Sequence, residues 1–209
     1  FGMYDLIGGS REFRDYINSH AGKTVEPVGP ERLYVSRSRL GPGRGSILGE
    51  YRIEELLAEE GYEIFHPQQA SQLDQIARYR AARQVIGADC SPLHLLGYVG
   101  DGGQNVGILT RRSMEIGAYL VKQLKDFKGM QATEINCLVN DWMPQPGSRP
   151  SRSSWGEVDF PQMHTALLNA GLIQNPTPWP ALTVAERDAE LARLSENQKT
   201  TFKPFRSEG

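Results

Sequence analysis

Cysteine is scarce: the 209 residues hold only Cys90 and Cys137. They lie far apart and match no metal or redox spacing, which points to a reducing compartment, with one Cys90–Cys137 disulfide left open. No run of about 18 apolar residues occurs, so no segment reads as a membrane-spanning helix. The start has no signal-peptide pattern. Charge of one sign is not in excess either. The formal net charge is -2, where a dedicated nucleic-acid binder is usually basic, so no nucleic-acid partner is expected. The four histidines have no metal-ligand spacing and there is no Asp-x-Asp motif, so neither a metal nor another cofactor is expected. The lysine of a phosphate-binding P-loop and the glycine fingerprint of dinucleotide sites are both missing. No internal repeat is visible.

What is present is a globular composition, 39% apolar and 23% charged, long enough for one sizeable domain with an appendage. From residue 32 to 139, short β-branched runs alternate with amphipathic helical runs. Strands are expected at 32–36, 62–65, 84–87, 105–109 and 132–139. Helices are expected from Glu50, from Ser71, from Pro92 and over 112–127, with an earlier one over 9–19. Ser10 and Ser71 are expected N-caps, and Gly61 stands where a helix ends. That alternation predicts an α/β fold with a doubly wound, mostly parallel, Rossmann-like sheet. The stretch 140–157 reads as a proline- and serine-rich loop. Helices at 159–171 and 183–197, the second with a Thr183–Glu186 capping box, then make a helical C-terminal extension. Trp142, Trp155 and Trp179 read as packing anchors or as an aromatic platform for a sugar.

In doubly wound sheets, ligands bind outside the carboxyl ends of the strands. The stretch "SRSRLGPGRGS" (36–46) follows the first strand and precedes a helix. Arg37, Arg39 and Arg44 there suit a phosphate, through guanidinium pairing and helix N-terminal amides. The glycines at 41, 43 and 45 would allow close approach of a ligand. The other reading of this loop is a solvated connection carrying surface arginines. In "GADCSPLH" (87–94), Asp89, Ser91 and His94 either gather near a ligand or serve as caps. Cys90 reads as a buried small residue or a thiol nucleophile.

The order of these features resembles glycosyltransferase family 61. That family shows a strand ending in Ser-Arg, a second arginine, an acid opening a helix, and then a Gly, a Pro, a Gln and small residues leading to a strand. Here these fall on Ser36, Arg37, Arg44, Glu50, Gly61, Pro67, Gln75, Ala82 and Gly87, over roughly residues 11 to 110. Departures are Asp89 at the family's histidine, Cys90 and Pro92 at glycine positions, Gly49 before Glu50, and Gly107 at a glutamate position.

The resemblance implies one half of a GT-B-like inverting transferase, using a nucleotide-sugar donor and a glycan or lipid-linked acceptor. It implies a bacterial surface or capsular polysaccharide pathway, in the cytoplasm or at the inner membrane surface, with peripheral association through parts outside this chain. Arg37, Arg44 and Ser36 would hold the donor phosphates, and Gly87, Ser91 and Gly107 would line the nucleotide or sugar pocket. Glu50, Asp89 and His94 would be the catalytic candidates. Residues 1–30 would be the remnant of a preceding domain, 31–140 the donor-binding domain, and 141–209 a loop-rich segment with helices. The alternatives are a degenerate domain used for binding or assembly, and another α/β enzyme of nucleotides or phosphosugars.

Overall fold

The computed structural model describes residues 7–206; the Phe1-Gly2-Met3 start lies outside them. Five strands form one parallel sheet: β1 (Arg32–Val35), β2 (Glu63–Phe65), β3 (Gln84–Ala88), β4 (Asn105–Leu109) and β5 (Gln131–Ile135). Their spatial order is β2-β1-β3-β4-β5. The order reverses between β1 and β3, which makes their carboxyl ends the switch point where such sheets take ligands.

Side chains alternate across the sheet with period two. Tyr34 and Ile86 enter a core with Ile53 and Leu57 of α2 (Glu50–Glu59) and Phe160, Met163 and Leu167 of α6 (Phe160–Asn169). Leu33, Val35, Val85 and Val106 enter the other core. There they meet Tyr79 of α3 (Gln72–Ala81), Leu93 and Leu96 of α4 (Pro92–Val99), and Leu120 and Leu124 of α5 (Ile116–Lys128). Burial on both faces explains why β3 and β4 read as unbroken apolar runs. The central core therefore extends past residue 140, because α6 closes one face of the sheet. Gly107 is part of that closure: a Cβ there would stand 2.6 Å from Leu172 Cδ1.

The expected caps form. Ser10 accepts from Phe13 N at the start of α1 (Arg11–His20), and Ser71 from Asp74 N at α3. The Thr183–Glu186 box opens α7 (Val184–Gln198). Each such cap contributes about 1 kcal/mol.

The stretch from 132 to 157 departs from expectation. The fifth strand ends at Ile135, and the chain starts again as β6 (Leu138–Pro144). With β7 (Trp155–Val158) and β8 (Phe202–Pro204), β6 makes an antiparallel sheet ordered β7-β6-β8. The prolines and serines of 144–154 confine the loop to the β6–β7 connection. Buried Trp142 and Trp155 pair across the strands, with Leu191 and Leu194 of α7 in the same cluster. Trp142 Nε1 donates to Glu157 at 2.8 Å, and the Arg187 guanidinium lies 5.0 Å from the Trp142 ring. All three tryptophans are buried, so they serve as anchors and offer no exposed ring to a sugar.

Candidate functional site

The chain leaves β1 at Ser36 and Arg37, and α2 holds that exit in place. Glu50 and Glu54, one helical turn apart, both face it. Glu50 is buried, and its Oε1 accepts from Arg37 N at 2.8 Å and from the Tyr34 hydroxyl at 3.0 Å. Its other oxygen accepts from the Ser46 hydroxyl. Burial raises the Glu50 carboxyl above its ordinary value, against the pull of Ser46, Arg37 N–H and Tyr34. Glu54 accepts from the hydroxyls of Ser36 and Ser38. Glu50 thus orients the Arg37 backbone, with no surface left for a substrate.

Arg37 turns inward. Its Nε and Nη2 donate to Gly45 O at 3.1 and 2.8 Å, which closes the loop on itself. Its charge acts on Asp89, Cys90 and Arg111. Arg44 and Arg39 are exposed, and Arg44 is not among the groups acting on Asp89.

The helix N-terminus expected to grip a phosphate is already occupied. Gly49, in the left-handed region, caps α2, and its N–H donates to Glu190 of α7 at 2.6 Å. Nor does Gly45 give a ligand close approach. A Cβ there would stand 1.8 Å from Ser154 O, so the glycine admits the chain's own segment. Gly45 N donates to Arg152 O, and Leu48 N to Gly156 O, so residues 45–48 and 152–156 lie together. Gly156 in turn passes so close to Arg111 that a Cβ would meet its carbonyl at 2.4 Å.

Beneath that cover lies a group of charges that sequence reasoning only half found. Asp89, at the end of β3, is completely buried. Arg111 and Arg112 follow β4. Arg111 Nε is 2.8 Å from Asp89 Oδ1 and also donates to the Asp89 carbonyl at 3.0 Å; Arg112 Nε is 3.5 Å from Oδ1. Arg111 Nη1, Arg112 Nε and both Asp89 carboxylate oxygens are buried without a hydrogen-bond partner, so the shortage lies on both signs of the cluster. Burial raises the Asp89 carboxyl despite Arg111, Arg112 and Arg37, and lowers Arg111 to about 10. Two guanidinium groups therefore pair with one carboxylate at the switch point, and the charge of Arg37 reaches it from Gly45. A buried excess of positive charge is costly until an anion joins it.

Arg112 also borders a cavity of about 410 Å³ at the carboxyl ends of β4 and β5. Thr110, Ser113, Glu134, Asn136 and Arg206 line it with Arg112. Asp141 of β6 fixes the turn beside it, accepting from Ser113 N at 3.0 Å. The cavity size suits a small ligand.

The remaining candidates fall elsewhere. Ser91 is exposed and makes no capping bond from its side chain. His94 is bonded through Nδ1 to Gln123 and lines a separate cavity between α4 and α5. Gly87 is packed against Val35 and Leu93 inside the sheet, and Gly107 against Leu172, so neither presents its backbone to the Arg112 cavity. Cys90 and Cys137 are buried free thiols, both raised to about 11 chiefly by burial, so neither is an activated nucleophile.

The chain matches no protein-family model and no curated protein. These comparisons leave the resemblance to glycosyltransferase family 61 as an expectation from the order of the motifs.

The contact between α7 and α2 carries a pH prediction. Glu190 is raised from the ordinary 4.5, first by burial and lastly by Glu50, against the Gly49 N–H and Arg193. A raised acid contributes stability that is complete below about pH 4.5 and is lost as pH rises through the folded value. Glu190→Gln keeps an acceptor for Gly49 and removes the titration. Its melting temperature relative to the parent should therefore rise between pH 4.5 and 7.5. A difference independent of pH would contradict this assignment.

Proposed function

We propose that the chain is the donor-binding half of an inverting glycosyltransferase that uses a nucleotide sugar, acting in surface polysaccharide synthesis at the cytoplasmic side of the membrane. The observation that carries this reading is the pairing of Arg111 and Arg112 with buried Asp89 at the β1/β3 switch point, within electrostatic reach of Arg37. A diphosphate reaching Arg112 through the adjoining cavity would complete the unbalanced charge. In transfer, negative charge develops on the departing nucleoside diphosphate as its bond to the anomeric carbon breaks. Fixed guanidinium groups in a water-poor site stabilise that charge. Asp89, without exposed surface, holds the arginines in register. The hydroxyl of a glycan or lipid-linked acceptor must lose a proton to a base, and that base belongs to a facing half. Among the described residues no helix is long and apolar enough to cross a membrane.

One observation favours a second reading, a domain that binds a phosphorylated ligand without transferring sugar. Gly45 is bonded to Arg37, Gly156 is packed on the Arg111 carbonyl, and Glu190 occupies the N-terminus of α2. A thermal-shift panel of nucleoside diphosphates and nucleotide sugars tests both readings. At least one nucleotide should raise the melting temperature, and Arg37→Ala or Arg112→Ala should abolish the shift, whereas Arg44→Ala should reduce it least. Release of free sugar or sugar transfer by the intact protein would exclude the second reading. No shift with any nucleotide would overturn the first reading and confine the second to phosphorylated ligands other than nucleotides.

A further inference from the structure

We propose a second anion site at the opposite, amino edge of the sheet, shaped for a phosphate-bearing ligand. A cavity of about 450 Å³ opens there beside the starts of β3 and β4. Lys23, Arg80 and Arg83 line it, with Asp101 and Gln104. Lys128, in the last turn of α5, lies within electrostatic reach of Lys23, Arg80 and Asp101. Four cations thus gather around one carboxylate in a chain whose formal net charge is -2.

Two of the four have an ordinary structural account. Arg80 and Lys128 sit in last helical turns, where a cation complements the helix C-terminus. Lys23 and Arg83 lie outside any helix, are exposed, and have no such account.

The site is also built in advance. Arg80 Nη1 donates to Gly22 O at 3.0 Å and to Val25 O. That fixes the 22–25 turn, and with it the place of Lys23. Gln104 Nε2 donates to Tyr79 O and Ala82 O at 2.7 and 2.5 Å, while its Oε1 accepts from Asp101 N at 2.8 Å. The floor of the pocket is therefore pinned to the ends of α3 and α4. Asp101 is partly spent, since its Oδ1 accepts from Gly103 N at 2.9 Å. Burial and then Lys23 hold the Lys128 ammonium below its ordinary value, a strain that a bound anion relieves. The ligand chemistry is a phosphomonoester or diphosphate, carried by a soluble metabolite or by a lipid headgroup. Strands of this length put the pocket about 16 Å from the carboxyl-edge site, so one small ligand does not fill both.

The test is calorimetric titration of the intact protein with inorganic pyrophosphate, set against the Lys23→Ala/Arg83→Ala double variant. Both side chains are exposed, so the double variant should fold normally. We expect it to lose about tenfold or more in affinity for one class of sites, as charge-assisted phosphate contacts imply. Arg112→Ala should leave that class unchanged, which keeps this site separable from the donor site. A parallel sedimentation arm uses phosphatidylglycerol and phosphatidylcholine vesicles. Uptake by the former alone, lost in the double variant, assigns the phosphate to a headgroup. Pyrophosphate binding without vesicle uptake assigns it to a soluble ligand. Binding unaffected by the double substitution, or absent with both probes, overturns the proposal.

Discussion

Arg111→Met should destabilise the protein by about 3–5 kcal/mol, the range for removing one partner of a buried ion pair. Arg111 is the closest cation to Asp89, at 2.8 Å, and both side chains are almost entirely excluded from water. Without it, the carboxylate keeps only Arg112 at 3.5 Å and the electrostatic reach of Arg37. The penalty should appear as a large drop in the midpoint of urea unfolding with an unchanged slope. Asp89→Asn in the same chain should restore part of the loss, because the buried carboxylate that has lost its 2.8 Å partner is then gone. That rescue separates a charge effect from loss of packing by the arginine stem. If Arg111→Met costs less than about 1 kcal/mol, Asp89 is not held by this pair.

Glu50→Ala should be of similar size, about 3–5 kcal/mol, because it strands three donors at once. The Arg37 N–H, the Tyr34 hydroxyl and the Ser46 hydroxyl all lose their acceptor in a buried setting. The consequence reaches function as well as folding. With its backbone released, Arg37 no longer points its guanidinium at Gly45 O and the Asp89 cluster. Nucleotide-induced thermal shifts should vanish in Glu50→Ala and survive in part in Glu50→Gln, which keeps one acceptor oxygen. Equal stabilisation by nucleotide in the parent and in Glu50→Ala would show that Arg37 plays no part in binding.

Much of the parallel sheet was legible because it depends on local signals. Short β-branched runs, Ser10 and Ser71 at helix starts and Gly61 at a helix end each act within a few residues. The exit from β1 was legible for the same reason, since Ser36, Arg37 and Glu50 sit on adjacent elements. Arg111 and Arg112 were overlooked although a signal existed. They follow β4 directly, and the rule that directs attention to carboxyl strand ends applies to them as well as to Arg37.

Other features lay beyond any local pattern. The three prolines and one glycine of 144–150 disguised β6 and β7, whose pairing depends on Trp142 meeting Trp155 across the sheet. Gly45 read as room for a ligand because sequence cannot show that Ser154 O fills that space. Asp89 and His94 are five residues apart, yet one is sealed among arginines and the other faces α5. Residue type and spacing gave both the same candidacy, and burial separated them.

The central claim is that a nucleoside diphosphate is held at the carboxyl edge by Arg37 and Arg112, beside an Arg111 that stays paired to Asp89. A crystal structure of the protein with the nucleoside diphosphate that gives the largest thermal shift tests it most directly. The account predicts diphosphate oxygens within about 3 Å of guanidinium nitrogens of Arg112 and Arg37, with Asp89 still paired to Arg111. A diphosphate bound away from these three arginines would contradict it.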